Sequence, residues 1–153
     1  TIGSDHAPYL AEEKENHKED IFVAPSGFPG IETRLGYMLK AVHDGRISLL
    51  RAMELLSTNP ARIFGLYPKK GAIQPGADAD LVLLDPDRPY TVQPGKLVTM
   101  ARDVCPFLDG TELYGQVEQT YVRGRLVYDR GNFPAEPGYG QWINMAELRG
   151  RKS

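Results

Sequence analysis

Ser4-Asp5-His6-Ala7-Pro8 is the segment of this sequence whose residue types could perform chemistry at the end of a predicted strand. A carboxylate there could bind a metal or act as a general base, because α/β enzymes gather reacting groups where strands end. Taken alone, an Asp-His pair before Ala-Pro is more typical of a turn than of catalysis. The segment by itself therefore leaves both interpretations open.

The other metal-binding residue types are sparse. The histidines are His6, His17 and His43, and their spacing gives no basis for a shared metal site. We expect His6 to pack or hydrogen-bond near Asp5, His17 to be solvated among charged residues, and His43 to lie in the last turn of a helix. The single Cys105 cannot form an internal disulfide, which predicts a reducing, cytoplasmic location.

Composition excludes several classes of partner. The 153 residues are 41% hydrophobic and 25% charged, as in a globular chain with a core, and the formal charge is −2. Lysines and arginines are scattered, so neither nucleic acid nor a membrane is expected as a partner. No secretory or transmembrane run occurs. Because the sequence opens on Thr1 without an initiator methionine, we expect a piece of a longer protein.

Helical patterns occupy the first part of the chain. After the charged run 12–20 and the proline- and glycine-rich loop Ala24–Gly30, a helix is predicted from Ile31 to a left-handed Gly45. Its apolar stripe is Ile31, Leu35, Met38, Leu39 and Val42. A second helix, capped by Ser48, should bury Leu49, Leu50, Met53 and Leu56 and stop near Ser57-Thr58. Asn59 should cap a third, with Pro60 at its first position and Gly65 closing it.

The pattern changes near residue 68. Short β-like runs follow, with Leu81–Leu84 as one strand and Thr120–Val122 pairing with Leu126–Tyr128 across an Arg123-Gly124 turn. The aromatic side chains of this part should pack on the sheet and tail: Tyr114, Tyr121, Tyr128, Phe133, Tyr139 and Trp142. The tail after Phe133 should be extended and irregular. We therefore divide the chain into 1–68 and 69–153.

Several longer motifs together resemble one family. Gly3–Pro8, Glu12-Glu13-Lys14 and Ala24–Glu32 look like the dihydroorotase signature in order and spacing. Further motifs resemble the cyclic amidohydrolases generally, including hydantoinases and allantoinases: Asn59–Leu66, Lys70–Ile73, Gly76–Val82, Cys105–Phe107, Gly115 and Thr120–Gly124. The resemblance covers nearly the whole chain.

The resemblance implies an α/β fold, in which this chain is the C-terminal end of a metal-dependent hydrolase (β/α)8 barrel plus part of a small composite β-sandwich. Residues 1–68 would hold the last barrel strand and following helices, and 69–153 the sandwich segment and tail. Asp5 would then be the strand-end carboxylate that contacts a two-zinc site and carries a proton to the leaving amide nitrogen. The family's His-x-His pair, carboxylated lysine and two further histidines would lie upstream of this chain.

The same resemblance bears on the substrate. Dihydroorotases usually place a histidine after Ala-Pro to bind the substrate carboxylate, whereas this sequence has Tyr9, which carries no positive charge at neutral pH. The loop residues Ser26 and Gly27 would contact the imide edge of the ring through their backbone, and a rigid connector before the helix is the alternative interpretation of the loop.

The function that follows is the opening of a small cyclic amide by a longer, zinc-dependent parent. Dihydroorotate, from pyrimidine biosynthesis, is the first candidate, and hydantoin, dihydropyrimidine and allantoin are the alternatives. A non-catalytic scaffold subunit is the alternative of another class. We expect the isolated chain to be inactive, with the remainder of the parent as its partner and a homo-oligomer as the assembly.

Overall fold

The computed structural model describes residues 1–107 and 109–144. The helices in these ranges are α1 (Ala11–Glu15), α2 (Ile31–His43), α3 (Leu49–Met53) and α4 (Asn59–Ile63), with a π-helical turn at Glu54–Thr58 and 3₁₀ turns at Pro94–Lys96 and Arg102–Val104. The strands are β1 (Leu81–Leu84), β2 (Pro89–Thr91), β3 (Glu112–Tyr114), β4 (Val117–Val122) and β5 (Arg125–Asp129). In this part of the chain no helix is long and apolar enough to cross a membrane.

The chain divides into two compact units that alternate along the sequence. We call Ile2–Arg46 with Pro86–Gly115 the site unit, because it contains Asp5. We call Ile47–Asp85 with the described residues from Gln116 onward the hairpin unit, to which Thr1 is also assigned. The boundary predicted near residue 68 concerns the barrel and sandwich of a complete family member, and it stays a prediction.

The core of the site unit lies between α2 and a two-stranded antiparallel sheet. β2 pairs with β3, with Tyr90 opposite Leu113, and α2 packs on β3. Leu39 of α2 and Leu113 of β3 are fully buried. Leu39 also lies so close to Gly115 that a β-carbon at that glycine would overlap its side chain. This contact explains why the chain has a glycine directly after β3.

The apolar stripe predicted for α2 is only partly buried. Met38 and Leu39 are buried as expected and Gly45 has the predicted left-handed φ of 71°, but Ile31 is 57% exposed. α2 contacts the sheet at Gly36, where a β-carbon would overlap the Tyr90 side chain, and at His43, whose ring stacks on Tyr114 at 3.9 Å. Ile31, at the start of the helix, is therefore not covered within this unit.

The hairpin unit begins with a helical stretch that is longer than predicted. Ser48 caps α3 as expected, its Oγ accepting a hydrogen bond from the Arg51 N–H at 3.2 Å. The predicted stop at Ser57-Thr58 and the cap at Asn59 are wrong, because Asn59 is helical (φ −68°, ψ −44°) and the π-helical turn joins α3 to α4. A proline clashes with the carbonyl four residues earlier in a regular α-helix, and a wider π turn before Pro60 removes that conflict.

The stripe predicted for the second helix is also wrong in part. Leu50 is 72% exposed and Leu49 is exposed, whereas Met53 and Leu56 are half-buried. The buried positions of this stretch are instead Ala52 and Ala61. Small side chains permit close approach here: the β-carbon of Ala61 lies 2.6 Å from the position that a β-carbon on Gly71 would take. Close packing of backbone, which a hydrophobicity pattern does not reveal, decides which face is inside.

Both strand predictions for the hairpin unit are confirmed. β4 lies between β1 and β5 in an antiparallel sheet, and Arg123 (φ 47°) and Gly124 (φ 78°) form the two-residue turn between β4 and β5. Positive φ at both turn residues matches the right-handed twist of the strands. The Asp80 carboxylate accepts a hydrogen bond from the Arg123 N–H at 2.8 Å, which ties this turn to the start of β1.

The aromatic side chains after β4 pack as predicted with one exception. The rings of Tyr128 and Phe133 meet edge to face at 5.5 Å, and Tyr139 lies beneath the guanidinium groups of Arg123 and Arg125. Trp142 is 92% exposed, so its predicted packing is wrong within this unit. Residues 134–144 contain no helix or strand, as predicted, and the last nine residues lie outside the described range.

Candidate active-site segment

The segment around Asp5 forms a single backbone bridge and not a full strand. His6 forms one parallel bridge with Phe28, and the Ala7 N–H donates to the Phe28 carbonyl at 3.2 Å. Asp5 itself has a positive φ of 45°. The predicted barrel strand is thus reduced to a single bridge in the described chain. The loop that contains Phe28 supplies the backbone neighbour of this segment.

The Ala24–Gly30 loop packs backbone to backbone against this segment. A β-carbon on Gly27, whose φ is 129°, would lie 2.9 Å from the Ala7 carbonyl oxygen, and one on Gly30 would lie 2.6 Å from that of Ser4. The Lys14 ammonium donates a hydrogen bond to the Pro25 carbonyl at 3.0 Å. Such close approach requires glycine at both positions. The proline- and glycine-rich composition of the loop is therefore explained by its packing against the Asp5 segment.

His6 joins the same two pieces through its side chain. Its Nδ1 accepts hydrogen bonds from the backbone N–H groups of Gly30 at 3.0 Å and Ile31 at 3.4 Å. The N-cap of α2 is Gly30, which has no side chain to satisfy the first N–H groups of the helix. The expectation that His6 would hydrogen-bond near Asp5 is confirmed. Its role as the cap of α2 was not predicted from the sequence. The absence of Ser, Thr, Asp or Asn at the start of α2 could have indicated that the capping group comes from another part of the chain.

The proposed site residues lie on these two adjoining segments. Asp5 and Ser26 are exposed, and in the described chain no residue donates a hydrogen bond to the Asp5 carboxylate. The Tyr9 N–H donates to the Ala7 carbonyl at 3.0 Å, and its side chain is 41% exposed. Gly27 and Tyr9 thus both contact Ala7, whereas no hydrogen bond between described residues joins the side chains of Asp5 and Ser26.

Glu32 makes a long-range contact that the sequence did not predict. The Glu32 carboxylate, in the first turn of α2, accepts hydrogen bonds from the backbone N–H groups of Val98 and Thr99, both at 2.9 Å. A carboxylate in the first turn also suits the positive end of the helix dipole. The pairing links residues 66 and 67 positions apart, so no local pattern could have identified it.

These residues do not make a two-metal centre by themselves. Within residues 1–107 and 109–144, no three His, Cys, Asp or Glu side chains lie close enough together to hold a metal ion. His6 Nδ1 is occupied by the start of α2, His43 stacks on Tyr114, and His17 is exposed as predicted. Asp5 could therefore contribute one carboxylate to a metal site whose other ligands come from elsewhere.

Comparison with known proteins identifies the family. The family model described as "Amidohydrolase family" matches residues 1–127, and the chain belongs to this family. This confirms the family predicted from the motifs around Asp5 and in the later segments.

The relatives are hydantoinases and dihydropyrimidinases. The chain is 38% identical over 153 residues to the L-hydantoinase of Paenarthrobacter aurescens, covering 99% of this chain and 33% of that protein. The D-hydantoinase (dihydropyrimidinase) structure from Thermus sp. aligns with a TM-score of 0.83 and 36% identity over 92% of this chain and 31% of the other. The dihydropyrimidinase from Brevibacillus agri NCHU1002 aligns with a TM-score of 0.79 and 35% identity over 88% and 29%.

The chain spans about a third of the length of the relatives that it matches. The names of these relatives also correspond to the alternative substrates, hydantoin and dihydropyrimidine, rather than to the first candidate, dihydroorotate.

Proposed function

We propose that this chain is the C-terminal part of a cyclic-amide hydrolase that opens an uncharged ring of the hydantoin or dihydropyrimidine type. In the complete protein, residues 1–68 would close a (β/α)8 barrel and residues 69–153 would complete a small β-sandwich. The observation that carries the proposal is the packing of the Asp5 segment against the Ala24–Gly30 loop, in a chain 38% identical to an L-hydantoinase.

Asp5 is the proposed catalytic residue. Hydrolysis of a cyclic amide adds water to the carbonyl carbon and breaks the C–N bond, so the departing nitrogen must gain a proton. An exposed carboxylate with no hydrogen-bond donor among the described residues is free to take a proton and to deliver it to that nitrogen. The neighbouring loop would hold the ring through backbone groups of Ser26 and Gly27.

We further propose that the parent binds two zinc ions, with Asp5 as the single ligand from this chain. Zinc in such sites supplies a hydroxide at neutral pH and polarises the carbonyl that is attacked. The remaining ligands would come from the part of the parent outside these 153 residues. The contribution of this chain would be a carboxylate held in a defined position.

Tyr9 supports a neutral substrate. It occupies the place where a dihydroorotase would have a histidine, and its phenol can donate a hydrogen bond but cannot pair with a substrate carboxylate as a cation. An uncharged ring has no carboxylate that would need a cationic partner. Tyr9 is thus a proposed specificity residue for hydantoin or dihydrouracil over dihydroorotate.

The test is a substrate panel with the metal-loaded parent protein. Ring opening of hydantoin, dihydrouracil, allantoin and dihydroorotate is followed at equal concentration, and hydantoin and dihydrouracil should give the highest kcat/KM. The variant Tyr9→His should raise kcat/KM for dihydroorotate, with Tyr9→Phe as the control that adds no charge. Preference of the wild type for dihydroorotate would contradict the role of Tyr9, and no ring opening at all would favour a non-catalytic scaffold.

A further inference from the structure

The His6 side chain joins the Asp5 segment to the start of α2, the helix that follows the Ala24–Gly30 loop. One ring nitrogen, Nδ1, accepts from two consecutive backbone N–H groups, those of Gly30 and Ile31. Both belong to the N-terminal turn of α2, a helix of 13 residues, whose first N–H groups have no partner within the helix. The imidazole therefore caps α2, although His6 lies 24 residues before Gly30 in the sequence.

The position of this contact links the two parts of the proposed site. His6 follows Asp5 directly, and Gly30 ends the loop that contains Ser26 and Gly27. Next to His6 in the sequence, the Ala7 N–H donates a hydrogen bond to the Phe28 carbonyl at 3.2 Å. Two anchors, one through backbone and one through the imidazole, thus hold the loop at both Phe28 and Gly30.

We propose that His6 is a positioning residue that sets the distance between the Asp5 carboxylate and the ring-binding backbone of Ser26 and Gly27. This inference rests on the proposed function, because it assigns catalysis to Asp5 and ring binding to the loop. His6 itself does not touch the substrate. Its effect on turnover acts through the geometry of its neighbours, and such geometry matters because misplacement by about 1 Å can reduce a rate by roughly 100-fold.

The chain offers side chains that separate this role from general stability. In the parent, His6→Asn places an amide oxygen near the position of Nδ1, and Asn is among the best capping residues. His6→Gln carries its polar atoms one carbon farther out, and His6→Ala removes the acceptor. Ser48→Ala is the matched control, since it deletes another helix cap, on α3, with no link to Asp5.

Turnover per folded molecule is the first measurement, with the folded fraction determined by circular dichroism. His6→Ala and His6→Gln should lower kcat on the order of 100-fold, whereas His6→Asn should stay within about tenfold of the wild type. Ser48→Ala should leave kcat per folded molecule unchanged. Equal kcat in His6→Ala and wild type, or equal losses in His6→Asn and His6→Ala, would overturn the proposal.

Hydrogen–deuterium exchange of the peptide that spans Ser26–Thr33 is the second measurement, and it does not depend on activity. The N–H groups of Gly30 and Ile31 should be protected in the wild type and in His6→Asn and should exchange faster in His6→Ala and His6→Gln. Should the wild type open no ring, the proposed function fails, and this exchange pattern still decides whether His6 holds the loop. Equal protection in all four proteins would overturn it.

Discussion

The backbone at Asp5 is in a conformation that most residues avoid. Its φ of 45° lies in the left-handed region, which costs about 1–2 kcal/mol for a residue with a β-carbon and is best tolerated by Asn and Asp. Such strain persists where the surroundings hold it, and here the Ala7 and His6 contacts follow immediately. Asp5 is thus presented by a bend in the backbone rather than by a straight strand.

Asp5→Asn isolates the charge at this position, because Asn also tolerates positive φ. In the intact parent we expect kcat to fall by about 10²- to 10⁴-fold, since an amide cannot carry the proton. Circular dichroism and Tm should match the wild type. Near-normal turnover in this variant would remove Asp5 from the mechanism.

Gly27 and Gly45 provide a matched pair for the close contact between the loop and Ala7. Both have positive φ, but a β-carbon on Gly27 would meet Ala7, whereas one on Gly45 would meet nothing within 4 Å. Gly45→Ala should lower stability by roughly 1–2 kcal/mol from backbone strain alone. Gly27→Ala should lose more stability, together with turnover, because its φ of 129° lies outside the left-handed region that residues with a β-carbon can adopt and because the loop must move away from the Asp5 segment.

Thermal unfolding and kcat of the two parent variants check this prediction. Equal losses of Tm with unchanged kcat would show that the loop does not need its close approach to Ala7.

At the scale of elements, an ion-pair cluster holds the connection between α4 and β1. The Lys69 and Lys70 ammonium groups lie 2.7 and 2.8 Å from the Asp78 carboxylate, and Lys70 also pairs with Asp80. Burial opposes the charge on Asp78, but hydrogen bonds from both lysines outweigh it and lower the pKa of Asp78. Burial likewise opposes the charge on Lys70, but hydrogen bonds to Asp78 and Asp80 raise its pKa.

The lowered pKa of Asp78 determines the direction of a pH effect. A carboxyl with a depressed folded-state pKa contributes stability that is complete above its unfolded pKa, about 3.9, and is lost as the pH falls through the folded value. Asp78→Asn should therefore be less stable than the wild type at neutral pH, by about 1–3 kcal/mol. The difference in stability between the two proteins should narrow below about pH 4 as the wild-type carboxylate becomes protonated.

The difference in Tm between the two parent proteins, measured across this pH range, tests the effect. Glu15→Gln is the control, because the Lys18–Glu15 pair is highly exposed and should contribute little. A difference in Tm that stays constant down to the lowest pH would show that the charge of Asp78 does not cause it.

At the scale of the whole molecule, the proposed site would be supplied only in part by this chain. The described residues supply the exposed Asp5 carboxylate and the Ala24–Gly30 loop, while the relatives extend about three times as far. A parent with its own metal ligands and a homo-oligomeric assembly both stay predictions. The two compact units of the chain would each have to join structure from the rest of such a parent.

The isolated 153-residue chain should therefore neither retain two zinc ions nor open a cyclic amide. Metal content after dialysis and a ring-opening assay with dihydroorotate and hydantoin measure both properties, with the intact parent as the positive control. Stoichiometric zinc together with turnover in the isolated chain would contradict the prediction.

Local sequence determined those features that depend on neighbouring residues. The Ser48 cap, the left-handed Gly45, β1 and the Arg123-Gly124 hairpin turn were all predictable, because each follows from the conformational preferences of a few adjacent residues. The motifs around Asp5 also identified the family, since their order and spacing are specific. No tertiary information was needed for either.

Tertiary structure alone decided how these pieces meet. Three features join positions that are distant in sequence or depend on close packing. His6 caps α2, the Glu32 carboxylate accepts hydrogen bonds from Val98 and Thr99, and Ala52 is buried in place of Leu50. A hydrophobic pattern states which faces can be buried, but which face is covered depends on the partner that the fold supplies. For the same reason Asp5 was identifiable from sequence as a candidate, whereas the attachment of its segment to the end of the Ala24–Gly30 loop through His6 became visible only in the folded chain.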